Sequence, residues 1–129
     1  MPTSNLRLAE PPLDPRQRQL WLQHAAGLIL FEDVRSYALD QLNESLSDSE
    51  RAVAKSAIDH SLYGLMQVID GVTGGLRREH WSVDMGFNVC LHHDGQLATS
   101  LDLIAGDGMC MGYHGWIAGD FGSVPVVDA

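Results

Sequence analysis

The sequence predicts an α+β fold: a two-layer sandwich with an N-terminal antiparallel helical hairpin packed on a three-stranded antiparallel β-meander. The prediction rests on two stretches with apolar residues spaced by three and four, and on a long run in which apolar residues fall on odd numbers. The first spacing belongs to a helix with one apolar stripe, the second to strands with one buried face. Glycine-containing breaks at His93-Asp94-Gly95 and Gly106-Asp107-Gly108 then divide the alternating run, Trp81 to Ile117, into three strands.

Residues 1–13 contain Pro2, Pro11 and Pro12 and show no periodicity, so they read as a flexible or extended arm, leaving 14–129 as a single domain. The first helix should start after Asp14, a preferred N-cap, with Pro15 at the first helical position and Gln17 placed for a capping box. Leu20, His24, Leu28, Phe31, Val34, Ala38 and Leu42 form its stripe, and Gly27 is a point where it can bend.

Ser47 and Glu50 form a second capping-box pair, and Asp48 and Glu50 suit the positive end of the helix dipole. Ala54, Ile58, Leu62, Leu65, Ile69 and Val72 make this stripe, which Gly71 or Gly74-Gly75 should end. The short Asn43–Leu46 connection makes the two helices antiparallel neighbours. Gly64 in mid-helix costs roughly 1 kcal/mol relative to Ala, which predicts close packing at that point.

Strand register follows from keeping apolar residues on one face. A two-residue Asp94-Gly95 turn would set Val89 opposite Ser100 and mix the faces, whereas a three-residue His93-Asp94-Gly95 loop pairs Leu91 with Leu97, Val89 with Thr99 and Phe87 with Leu101. A Gly106-Asp107-Gly108 loop then pairs Leu103 with Met111 and Leu101 with Tyr113. Pro125 restricts the Ser123–Asp128 tail to a fourth, edge strand or to coil.

In that register the even residues form rows on the outer face: Asn88, Ser100 and His114 in one, Gly86, Asp102 and Gly112 in the next, Cys90, Ala98 and Trp116 on the other side. Asn88, Asp102, His114 and Trp116 are therefore the candidate binding residues, with the aromatic side chain as the expected centre of a protein contact. Ser100, His114 and Asp102 supply the types needed for a nucleophile, a base and an orienting acid, which makes a small hydrolase the runner-up. Against it, a mid-strand serine lacks the strained turn that exposes a nucleophile.

His92, His93 and Asp94 are the weak candidates for metal ligation, but neighbouring strand residues diverge and no HxH or HExxH spacing occurs, so no metal site is expected. Cys90 and Cys110 lack CxxC spacing. The glycines of 106–122 open no helix onto a phosphate, so no cofactor is expected.

Composition narrows the function classes. With 129 residues, 45% hydrophobic and 19% charged, the chain is expected to close one core. Its net charge of -9 and only eight Lys and Arg disfavour nucleic acid and favour a basic protein partner. Its longest apolar stretch is too short to cross a bilayer, and no apolar leader opens the sequence, so a cytoplasmic location is expected. The expected function is thus an acidic protein-binding module, of immunity or antagonist type, with a structural homodimer as a third alternative.

Overall fold

A computed structural model describes residues 3–105 and 126–127, and these form an α+β structure. The first helical run is α1 (Pro15–Leu30), a π-helical turn (Phe31–Arg35) and α2 (Ser36–Asp40); α3 follows at Asp48–Ile69. The strands are β1 (Arg7–Leu8), β2 (Leu76–Arg78), β3 (Trp81–Val83), β4 (Asn88–His93), β5 (Gln96–Asp102) and β6 (Val126–Val127). They pair antiparallel as β1-β6, β2-β3 and β4-β5.

Local chemistry accounts for the helix starts. The Asp14 side chain accepts from the Gln17 amide at 3.0 Å, with Pro15 in the first turn where its missing N–H costs nothing. At α3 the Ser47 hydroxyl accepts from the Glu50 amide at 3.2 Å while the Glu50 carboxylate accepts from the Ser47 amide at 3.1 Å. Gly71, at φ 77°, ends α3 in the left-handed conformation open to glycine.

One core joins helices and strands. Trp21, Leu22 and Ala26 of α1, Leu62, Met66 and Ile69 of α3, and Leu91, Leu101 and Leu103 of the β4-β5 side form one buried cluster. Its phase on the helices differs from the expected stripes. Met66 is fully buried and Leu65 is not, while Trp21 and Leu22 take the places expected of Leu20 and His24, which are only half-buried. Val72 is exposed. Gly64 marks no close approach either, since nothing lies within 4 Å of where its Cβ would be.

Register differs from the expected one in an instructive way. The β4-β5 turn has two residues, with Asp94 at φ 50° and Gly95 at φ 79°, and His93 lies opposite Gln96. Positive φ at both positions is the primed hairpin turn that Asp-Gly favours. The mixed faces such a turn would cause are avoided by a register shift between Leu91 and His92, which leaves Ala98 unpaired. Below the shift, odd again meets odd: Leu91 faces Thr99 and Val89 faces Leu101.

The run expected as one strand from Trp81 to Leu91 is broken at residues 84–87, where Asp84 and Gly86 are poor strand formers. Its first part pairs instead with Leu76–Arg78, a strand the sequence did not suggest. Strand β5 stops at Asp102, whose Oδ1 accepts from the Ile104 amide at 3.1 Å and turns Leu103–Ala105 into a 3-10 helix. The expected third strand, the Gly106-Asp107-Gly108 loop and Cys110 lie outside the described residues.

The proline-containing start of the chain makes specific contacts. Arg7–Leu8 pairs with Val126–Val127, the Thr3 amide and hydroxyl donate to the Asp33 carboxylate, and Arg18 Nε donates to the Pro12 carbonyl at 2.8 Å. Bonding from Thr3 holds the Asp33 carboxyl below its ordinary pKa.

Candidate functional site

On the outer face of β4-β5, Asn88 lies opposite Asp102 and Cys90 opposite Ser100, all four exposed. The expected rows pair Asn88 with Ser100 and Cys90 with Ala98; the two-residue turn and the unpaired Ala98 each shift β5 by one residue, which changes the partners without changing the face. Cys90 Sγ and Ser100 Oγ lie 3.8 Å apart, a weak contact. Asp102 is committed to the Ile104 amide. His114 and Trp116 lie outside the described residues, so only Asn88, Ser100 and Asp102 of that constellation are located.

His92 and His93 sit at the turn end of β4, both exposed. His93 Nε2 approaches the carboxylate of Asp94 at 3.8 Å on an open surface. No cluster of three or more His, Cys, Asp or Glu able to hold a metal occurs among the described residues.

The β2-β3 hairpin is a different kind of surface. Leu76 is opposite Val83 and Arg78 opposite Trp81, so these four share one face. Every residue of both strands is exposed, Trp81 by 79% and Leu76 by 73%. Trp81, Val83 and Met85, expected on a buried face, are thus at the surface. Glu79 closes the turn at φ 50°, a conformation normally left to Gly or Asn. Without Gly or Asn in this turn, β2 carries no hairpin signal in the sequence. A polar crevice of about 500 Å³, with Arg77, Asp84, Met85 and Ile104 among its walls, runs between the hairpin and the end of α3.

On the helical side the π turn brings in a group that sequence reasoning missed. Arg35 Nε donates to Asp59 Oδ1 at 2.5 Å and Nη2 to Oδ2 at 3.5 Å, and the guanidinium lies 4.6 Å from the Phe31 ring centroid. Arg35 is buried, and this fork with its aromatic neighbour satisfies a charge that burial would otherwise penalise. His60, the chain neighbour of Asp59, is exposed. The available signal was Arg35 itself, four residues beyond Phe31 on an apolar stripe.

Beside this pair, Val34, Ala38, Ala57, Ile58, Ser61 and Leu65 line an open apolar groove of about 370 Å³. Val34 and Leu65 remain 42% and 37% exposed there. No helix among the described residues is long and apolar enough to cross a membrane. Compared with protein-family models, curated proteins and solved structures, the chain matches none of them.

Proposed function

We propose that this chain is an acidic protein-binding module of antagonist or immunity type, and that its main apolar contact is the β2-β3 hairpin. One observation carries the proposal: Leu76, Trp81, Val83 and Met85 are all exposed within ten residues of chain. Scattered surface apolar residues need no explanation, but a contiguous group centred on Trp has the composition of a binding hot spot. A two-stranded hairpin is also marginal by itself and gains stability when a partner covers it.

Charge supports a basic partner. The hairpin region is balanced, with Arg77 and Arg78 against Glu79 and Asp84, so the surplus behind the net charge of -9 comes from other parts of the sequence. Asn88 and Asp102, facing each other on the exposed side of β4-β5, add one such polar surface, which His114 and Trp116 would extend in the expected arrangement. The homodimer alternative draws on the same hairpin, which a second copy could cover. A hydrolase built on Ser100, His114 and Asp102 is less well supported, because the Asp102 carboxylate already accepts from a backbone amide.

A photoreactive benzophenone amino acid in place of Trp81 tests the proposal in cells. A discrete adduct with another protein is expected, and it should weaken as ionic strength rises. An adduct only with a second copy makes the chain a homodimer, and no discrete adduct sinks the binding reading.

A further inference from the structure

Resting on the reading of this chain as a protein-binding module, we propose that the groove between α2 and α3 seats a basic amphipathic helix of the partner. The groove is apolar and long enough along α3, from Ala57 to Leu65, for more than two turns of a docked helix. Helix-in-groove recognition needs such a floor, and apolar anchors spaced by three and four on the ligand.

The sequence assigns this surface to packing. Val34 and Ala38 belong to the first apolar stripe, and Ile58 and Leu65 to the second. The chain's own core is built on the adjacent residues Leu62 and Met66, so the two stripes meet in a seam that this fold leaves partly open.

Charge selects the occupant. Between residues 32 and 50 there are six acidic residues (Glu32, Asp33, Asp40, Glu44, Asp48, Glu50) and one basic (Arg35), a net of -5 out of the chain's -9. Extending the count to Leu65 adds Arg51, Lys55 and Asp59, leaving -4. Arg35 is neutralised by Asp59, and Arg51 donates to the Asn43 carbonyl at 3.2 Å. Asp33, Tyr37 and Asp40, all exposed, follow one another on the helical run that supplies Val34 and Ala38. A ligand helix with Leu or Ile on one face and Lys or Arg on its flanks matches both features. A second copy matches less well, since it would bring its own acidic 32–50 segment towards this one.

The probe is a synthetic Leu/Lys peptide of about 18 residues, patterned as an amphipathic helix. Its binding is measured by calorimetry against the full chain, against Leu65→Glu, and against the surface double variant Asp40→Lys/Glu44→Lys. Saturable one-to-one binding is expected, roughly tenfold weaker in Leu65→Glu, as for loss of an anchor residue. The double variant should bind more weakly and with a shallower salt dependence. It keeps the assay decisive if Leu65→Glu does not fold.

Equal binding of a shuffled peptide of the same composition would reduce the effect to bulk charge and overturn the proposal. So would unchanged affinity in the variants, or a wild-type dimer in sedimentation that Leu65→Glu dissociates. If the peptide fails but the Trp81 adduct forms, the module binds elsewhere; if both fail, the binding reading falls with it.

Discussion

The β2-β3 and β4-β5 hairpins are both closed by two-residue turns, and both set large aliphatic residues opposite each other: Leu76 with Val83 in one, Val89 with Leu101 in the other. In β4-β5 that face lies against α1 and α3, where Leu91 and Leu101 are buried with Met66 and Trp21. In β2-β3 none of the strand residues joins the buried cluster, and all are exposed. Alternation therefore reports that a face is apolar. Whether anything covers it depends on where the chain runs relative to the helical layer.

Truncation should separate the two hairpins most clearly. Leu101→Ala is expected to cost roughly 2–5 kcal/mol in urea unfolding, the range for a buried leucine, whereas Trp81→Ala should stay within about 0.5 kcal/mol. Equal losses would mean that the β2-β3 face is covered, and the contrast would collapse.

The helical layer offers a second, smaller test. Asp59→Asn leaves the buried Arg35 guanidinium without its counter-charge and should destabilise by about 2 kcal/mol, part of which Arg35→Met should restore in the double variant. A fully additive double variant would show that the two side chains do not act as a pair.

Turn chemistry comes next. Gly95→Ala places a Cβ at φ 79° and should cost about 1 kcal/mol, with the β4-β5 amides losing hydrogen-exchange protection before those of α3.

The smallest expected effect is a pH dependence at the α3 cap. Hydrogen bonds from the Ser47 backbone and then its side chain lower the Glu50 pKa from 4.5, so its contribution is present above 4.5 and is lost as pH falls through the depressed value. The difference in melting temperature between the native chain and Glu50→Ala should shrink on acidification across that window. A constant difference would remove the carboxylate from the cap.

How much was legible varies with how local the cause is. Ser47 with Glu50, and Asp14 with Pro15, located the starts of α3 and α1 because a cap is decided within four residues. The phase of the stripes was not legible in the same way. Leu65 and Met66 are chain neighbours about 100° apart on the helix, and one lines the groove while the other fills the core, so the apolar pattern averages two surfaces.

On the sheet, alternation placed Asn88, Ser100 and Asp102 on the outer face, but the pairing depended on one unpaired residue that no local pattern announces. The Arg35–Asp59 fork joins residues 24 apart in sequence, and only the packed helices bring them together.

The unpaired Ala98 has a consequence for how this gene can change. Above it the hairpin follows the register of its two-residue turn, and below it the register of the core, so Ala98 absorbs a mismatch of one residue. Deleting Ala98 would let the two segments of ladder run together without moving Leu91, Leu101 or the Asp94-Gly95 turn. A one-codon loss, ruinous in most strands, should be tolerated here, making the hairpin tip a site where natural length variation can enter without cost to the core.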